Sequence, residues 1–435
     1  MVLIYLTQNS PRCSYILNLI FKHELGLAFR TCADIKEFEQ FPGEKINYSA
    51  KRLADEFYIK SNSILFETGI KKQEIKVEDA ESKKILFPCV EDDLGFDIFS
   101  SVFFMVSRYE EYLPFQGDKF GRFRHEDSLA FQNNFLRKPV VNIWIEIFRK
   151  KLATKFPTLQ FEKKKFDCVV TYDTDVAYKY KGRSFGRNIG VAMKDIFFLR
   201  FRNLLQRIQT LLFSKKDPWD IYDDLQQLLY KNQLPSVFFF LMSDKSPYDR
   251  NLNYKSSEME RLVKKIQGFT QPGIHPSFFS SELPEKMVSE KERLENISVS
   301  KITKSRQHFL KFNLPDTFNA LCSAGIAEDY SMGFPGMPGF RAGTCTPFYF
   351  YDLKNEKATS LKMMPVTCMD ATFVYYLEKS PEKSLVDMLN LMKEVENVKG
   401  TFIPIFHNDI IGEFPAWEKA HRQLISQIKS SLNKS

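Results

Sequence analysis

Short apolar runs and helical stripes alternate along this chain, and they fall into two blocks. In residues 1–160, Val2 to Leu6 reads as a strand and Ser14 to His23 as a helix. Ser63 to Phe66 and Ile85 to Phe87 read as short strands. Asp97 to Glu111 carries Ile98, Val102, Phe103, Met105 and Val106 at helical spacing. Pro139 to Ala153 presents Val141, Ile143, Trp144, Ile147, Phe148 and Leu152 as one wide apolar face. This first block is therefore α+β or α/β, and the charge run Glu162 to Lys165 ends it.

The second block begins at Phe166 and is expected to reach residue 425. Strand-like segments recur at 167–172, 235–241, 272–275, 363–366 and 401–406. Helical patterns lie between them, as in Asp220 to Lys231, Lys286 to Leu294 and Asp316 to Ala324, the last followed by Gly325 as a C-cap. Strands alternating with helices predict a largely parallel sheet, and roughly 265 residues suit a barrel-like α/β domain. Phe334 to Gly343, rich in Pro and Gly, reads as an ordered loop.

Composition changes this picture in three places. No apolar run approaches the ~20 residues of a membrane span, and Met1 to Thr7 lacks the features of a secretion signal. The 7 cysteines are dispersed with no CxxC pair, which points to reduced thiols in a cytoplasmic protein and away from a Cys-based zinc site. The net charge of +8 is local: 181–216 holds nine Lys/Arg against one acid, Asp195, a surplus equal to that of the whole chain. A nucleic-acid partner is accordingly not supported.

Three distant segments carry candidate chemistry. Asp173 and Asp175 follow the apolar run Cys168-Val169-Val170, so two carboxylates stand at a strand's C-terminal end. Adjacent carboxylates are costly without a cation or proton between them, which argues for a metal, although turns also favour Asp. His275 lies in Gly273-Ile274-His275-Pro276-Ser277, and His407 follows Phe402 to Phe406. Each alone is more often a hydrogen-bonded loop histidine.

As an ordered set, these segments resemble the polysaccharide deacetylases of carbohydrate esterase family 4, over roughly residues 166–425. The matching positions are the D-x-D of Thr171 to Asp175, then His275, then Arg306 in Ser305-Arg306-Gln307-His308, then His407. The resemblance implies a deformed (β/α) barrel that removes N- or O-acetyl groups from a carbohydrate, with a divalent metal, zinc, as cofactor. It implies Asp173 as general base, Asp175 and His275 as metal ligands, His407 as general acid and Arg306 as the group orienting the base. The family's H-[ST]-x-x-H is broken here, because Phe279 stands where the third ligand belongs. His308 is the nearest replacement; the alternative is a hydrogen-bonded histidine outside the ligand set. Asp329, Ser331, Arg341 and Asp370 fall where the family lines its substrate groove, although Arg341 also suits a surface ion pair and Asp370 a helix N-cap. The first block resembles the uncharacterised domain that precedes such deacetylases in some bacterial proteins, through Phe103 to Tyr112 and Gly121-Arg122-Phe123.

Rival readings remain at this stage. A D-x-D glycosyltransferase leaves His275 and His407 without roles, and a dehalogenase-type phosphatase wants Thr or Val where Ala177 stands. A degenerate deacetylase fold that binds a glycan or a protein accommodates the missing ligand. Residues 184–216 add a separate expectation. Phe197, Phe201, Leu204, Leu205, Ile208, Leu211 and Leu212 recur at helical spacing among basic residues. Such a helix either docks on the protein's own core or lies on an anionic membrane, where lipid-linked glycans are held.

Overall fold

A computed structural model describes residues 1–80, 83–213 and 215–434. Strands β1 (Val2–Leu6), β2 (Phe29–Cys32), β3 (Lys45–Ser49) and β4 (Phe57–Lys60) form an all-parallel sheet in the order β2-β1-β3-β4. The first block is thus α/β. Against this sheet lies helix Ile98–Val106, all 9 of whose residues are buried; Asp97 caps it by accepting from Ser100 N. The expected strand at Ser63 to Phe66 is instead a 3-10 turn, Ser63–Leu65, because the Asn62 side chain accepts from Ile64 N. Helix Val140–Lys155 buries Val141, Trp144, Phe148 and Leu152 of its predicted apolar face, while Ile143 and Ile147 are half-buried. A hairpin, β5 (Val77–Ala80) and β6 (Lys83–Leu86), completes this part.

The second part is a mixed α/β layer built on a largely parallel sheet. Its strands are β7 (Asp167–Cys168), β8 (Val170–Thr174), β9 (Ser236–Phe240), β10 (Pro272–Ile274), β11 (Lys304–Ser305), β12 (Glu328–Asp329), β13 (Phe348–Asp352), β14 (Lys357–Met363), β15 (Cys368–Met369), β16 (Thr401–Phe402) and β17 (Pro404–His407). Nine pair in the order β13-β14-β12-β11-β10-β9-β8-β17-β15, and only the β13–β14 pair is antiparallel. The expected strands 167–172 and 401–406 are each interrupted, giving the separate two-stranded pair β7–β16. The expected strand 363–366 is mostly the irregular segment after β14, which links the two ends of the sheet. Met364 N donates to Asp329 O, Val366 N to Met332 O and Thr367 N to Ile403 O. One face of the sheet accordingly closes on a single cluster, in which Val237 and Phe239 meet Tyr330, Val366, Ile403 and Ile405.

The two parts share buried contacts. The main apolar cluster runs from Val2 to Ile428. Arg12 Nε donates to Glu356 Oε2 at 2.9 Å, and the Asn142 amide oxygen accepts from Thr344 Oγ1 and Cys345 N at 3.0 Å each. Residues 184–213 form two helices, Phe185–Phe197 and Phe201–Leu212, broken where Leu199 adopts a φ of +54°. The seven cysteines are free thiols. Among the described residues, no helix is long and apolar enough to cross a membrane.

Candidate metal centre

Parallel strands end together, and the side chains just past their C-terminal ends converge here. In register, His407 of β17 pairs with Asp173 of β8, Ile274 of β10 pairs with Phe240 of β9, and Ser305 of β11 pairs with Ile274. His275, Arg306 and Tyr330 therefore follow three neighbouring strands at one level. Gly273 permits this packing, because a Cβ there would come within 2.5 Å of the Phe239 ring. That ring carries the Arg306 guanidinium at 4.5 Å.

Asp175, His275 and His308 bring one ligand atom each within 4.8 Å of one another. Asp175 Oδ1 lies 3.2 Å from His275 Nε2, and Asp175 Oδ2 lies 3.5 Å from His308 Nε2. Ligand atoms on a tetrahedral zinc with bonds of about 2.0–2.1 Å sit about 3.3 Å apart. The ring tautomers point the same way. His275 Nδ1 donates to the carbonyl of Arg306, so Nε2 is the ring nitrogen left to face Asp175. Asp175 Oδ1 is buried without a hydrogen bond. A carboxylate oxygen left without a hydrogen bond beside two imidazole nitrogens offers a place for a cation. His308 Nδ1 is held by Asp249 Oδ1 at 2.8 Å, the carboxylate support that ligating histidines usually have. Without metal a proton fills the gap at His308. Burial disfavours the charged ring, but the charges and hydrogen bonds of Asp175 and Asp249 raise it to about 9. This donor set can coordinate a divalent metal.

Two polar pairs flank the cluster. Asp173 Oδ1 accepts from Arg306 Nη1 at 2.6 Å, and Arg306 also donates to Thr171 Oγ1 at 2.7 Å and Tyr330 O at 3.0 Å. Asp173 Oδ2 stays open, 3.9 Å from both His275 Nε2 and His407 Nε2. Asp370 binds His407 twice, at Nδ1 (2.6 Å) and at the backbone N (2.7 Å). Burial opposes the charged His407 ring, yet Asp370 foremost, then Asp175 and Asp173, raise it well above the usual histidine range.

Above these groups is a cavity of about 170 Å³. Its walls include Asp173, Asp175, His275, His308 and His407, together with Gln307, Tyr375, Tyr376, Asp409 and Arg122. The buried Gln307 Nε2 has no acceptor.

The remaining expected groove residues lie elsewhere. Asp329 and Ser331 are fully buried beneath the site, where Asp329 accepts from Ser305 Oγ and Ser331 N, and Ser331 Oγ accepts from Gln307 N. They hold the Arg306–Gln307 backbone and do not line the cavity. Arg341 is neither a groove residue nor a surface pair: it is buried, bidentate on Glu111 at 2.9 and 2.6 Å, with its third bond to Gly333 O. Asp370 faces His407 and not the cavity. Phe279, at the position of the family's third ligand, packs against Tyr248 and Phe278.

Sequence reasoning missed Asp249, Gln307, Tyr375, Tyr376, Asp409 and Arg122. Of these, Arg122 and Gln307 carried a signal, as parts of Gly121-Arg122-Phe123 and Ser305-Arg306-Gln307-His308. Arg122 comes from the first block, yet donates to Phe309 O at 2.8 Å and to the Tyr376 hydroxyl at 3.2 Å. Phe309 holds a left-handed φ of +62° immediately after His308.

Residues 2–157 match DUF7033, a family of unknown function. No curated protein matches the chain. Among solved structures, a provisionally assigned polysaccharide deacetylase from Mycobacterium smegmatis is similar at 15% identity and a TM-score of 0.42, over 62% of this chain and 86% of that one. A CE4-family pseudoenzyme from Bacillus anthracis is similar at 10% identity and a TM-score of 0.33, over 61% of each chain. A mutant of a CE4-family pseudoenzyme with restored enzymatic activity is similar at 11% identity and a TM-score of 0.33, over 61% of this chain and 63% of that one.

Proposed function

We propose that this chain is a metal-dependent hydrolase that removes N- or O-acetyl groups from a bacterial carbohydrate, with zinc as its metal. The observation that carries the reading is the Asp175–His275–His308 donor set beside an open carboxylate and an acid-supported histidine. A divalent metal held by those three residues would polarise an acetyl carbonyl and lower the pKa of a bound water toward ~7. Asp173, pinned through Oδ1 by Arg306, takes a proton at its free Oδ2. His407, kept protonated by Asp370, gives a proton from Nε2 to the leaving amine or hydroxyl. Gln307 Nε2 offers a donor to a substrate oxygen. The fold is taken as a deformed (β/α) barrel over 166–425 preceded by a smaller domain over 1–160. The reading also includes a cytoplasmic setting in which the substrate is an acetylated or lipid-linked glycan.

The test is acetate release from N-acetylated amino-sugar oligomers by purified protein of measured metal content. Asp173→Asn and His407→Ala are each expected to lose on the order of 10²-fold in rate with metal retained. Near-full activity in either variant sinks the assignment. Stoichiometric metal without hydrolysis of any acetylated sugar favours a glycan-binding module instead.

A further inference from the structure

The helical pair Phe185–Phe197 and Phe201–Leu212 is built inside out. Its buried residues are polar: Asn188, Asp195, Arg207 and Thr210. Arg207 joins the two helices by donating to Asn188 Oδ1 at 2.9 Å and to Asp195 Oδ2 at 3.1 Å. Its apolar residues face outward. Phe197 is 80% exposed, Leu212 75%, Phe213 74%, Leu199 72% and Met193 65%. A soluble helix pair normally does the reverse, and contiguous exposed apolar surface marks an interaction site. The pair therefore does not dock its apolar stripe on the protein's own core.

Charge identifies the partner. Arg200 and Arg202 are exposed among the apolar residues of the bend and second helix. At the foot of the pair a cavity of about 440 Å³ is lined by Arg183, Arg187, Lys245 and Arg250. None of these four has an acidic partner among the described ion pairs, and Glu258, the acid in the lining, lies 3.2 Å from Arg261. An outward apolar face rimmed by unpaired cations matches an anionic bilayer, whose acyl region takes the former and whose headgroups take the latter.

We propose that residues 185–213 dock this protein on an anionic phospholipid surface, with the Arg183–Arg187–Lys245–Arg250 cavity facing lipid phosphates. The pair is rooted beside the candidate metal centre. Asp217 at its exit accepts from Lys179 N and Tyr180 N at its entry, and Lys179 pairs with Glu413, just past His407. Docking thus turns the C-terminal end of the sheet toward the membrane. The inference is independent of the hydrolase reading, because its test uses no substrate.

The full chain is sedimented with phosphatidylcholine vesicles and with phosphatidylcholine vesicles containing phosphatidylglycerol, at low and high salt. The expected result is binding to the anionic vesicles only, released by salt through screening. Phe197→Ser with Leu199→Ser should weaken partitioning on the order of 100-fold. Lys245→Gln with Arg250→Gln should weaken it roughly 30-fold. All four positions are exposed, and thermal melting checks that both variants fold. Absence of binding at low salt, equal binding to neutral and anionic vesicles, or unchanged binding by folded variants overturns the proposal. So does a wild-type dimer in light scattering that becomes monomeric in the Phe197→Ser, Leu199→Ser variant without any vesicle binding, which assigns the face to a second copy.

Discussion

Replacing Asp249 by Asn separates two opposing effects at the candidate metal centre. Asp249 Oδ1 holds His308 Nδ1 at 2.8 Å and also accepts from Phe278 N at 3.0 Å. Asn keeps an acceptor oxygen for both bonds and removes the charge, while the bond that Oδ2 accepts from Ser246 Oγ at 2.6 Å must reverse, the new amide donating to the hydroxyl oxygen. Losing a carboxylate behind a ligating histidine costs about 10–100-fold in metal affinity, or about 1.4–2.7 kcal/mol. The same carboxylate, with Asp175, holds the metal-free His308 at about 9, against burial, which acts the other way. Metal needs the neutral ring, so at pH 7 displacing that proton costs the wild type up to about 2.7 kcal/mol. Wild-type affinity is therefore expected to rise as pH increases from 7 to 9, by up to tenfold per unit, and to level off above. In Asp249→Asn, His308 is less basic and the proton competes less. The variant's deficit should stand in full above pH 9 and shrink toward pH 7, incompletely, because Asp175 remains. Zinc competition against a chromophoric chelator at several pH values measures both curves. A deficit that grows as pH falls, or no deficit at any pH, refutes the assignment of Asp249 and His308 to the metal.

Two predictions concern stability. Burial, with a smaller contribution from Arg422, pushes His421 down to about 3, and the ring meets the Tyr172 hydroxyl at 2.9 Å. The unfolded chain then binds this proton first, so the stability contributed above pH ~6.5 is lost as pH falls toward 3, by about 2 kcal/mol at pH 5. Relative to wild type, His421→Gln should gain about that amount between pH 7 and pH 5 in urea unfolding; a pH-independent difference contradicts the linkage. Glu111 lies between Arg341 and Arg108, accepting from Arg108 Nε at 2.7 Å. Glu111→Leu should cost about 3–5 kcal/mol by stranding buried charge, and adding Arg341→Met should restore part of it. A loss below about 1 kcal/mol in the single variant contradicts a buried pair.

Legibility in the sequence followed the length of each element and the locality of its partners. Strands β1, β8, β9 and β17 were visible because each is part of a short apolar run. Strands β11 and β12 have two residues each, too few for any periodicity. Asp173, Asp175, His275, His308, Arg306 and His407 could be singled out because each stands at or just past a strand end. Asp249 could not, since its meaning lies in its contact with His308, 59 residues apart. Arg341 was misread because nothing local announces a carboxylate 230 residues away. In 185–213 the helical spacing was legible, but the spacing does not say which side faces water. That was decided by Asn188, Asp195 and Arg207 pairing inward.

Arg122 makes the candidate site depend on both parts of the chain. It belongs to the first 160 residues, yet it forms part of the cavity wall and grips the turn that follows His308. A recombination event that grafted another leader onto residue 166 would remove that wall and leave Arg341 charged in the dark without Glu111. Residues 1–160 and the sheet that follows them therefore share one stretch of cavity wall and one buried ion pair. A substitution at position 122 therefore acts at the same place as one at Tyr376, although 254 residues separate them in the chain.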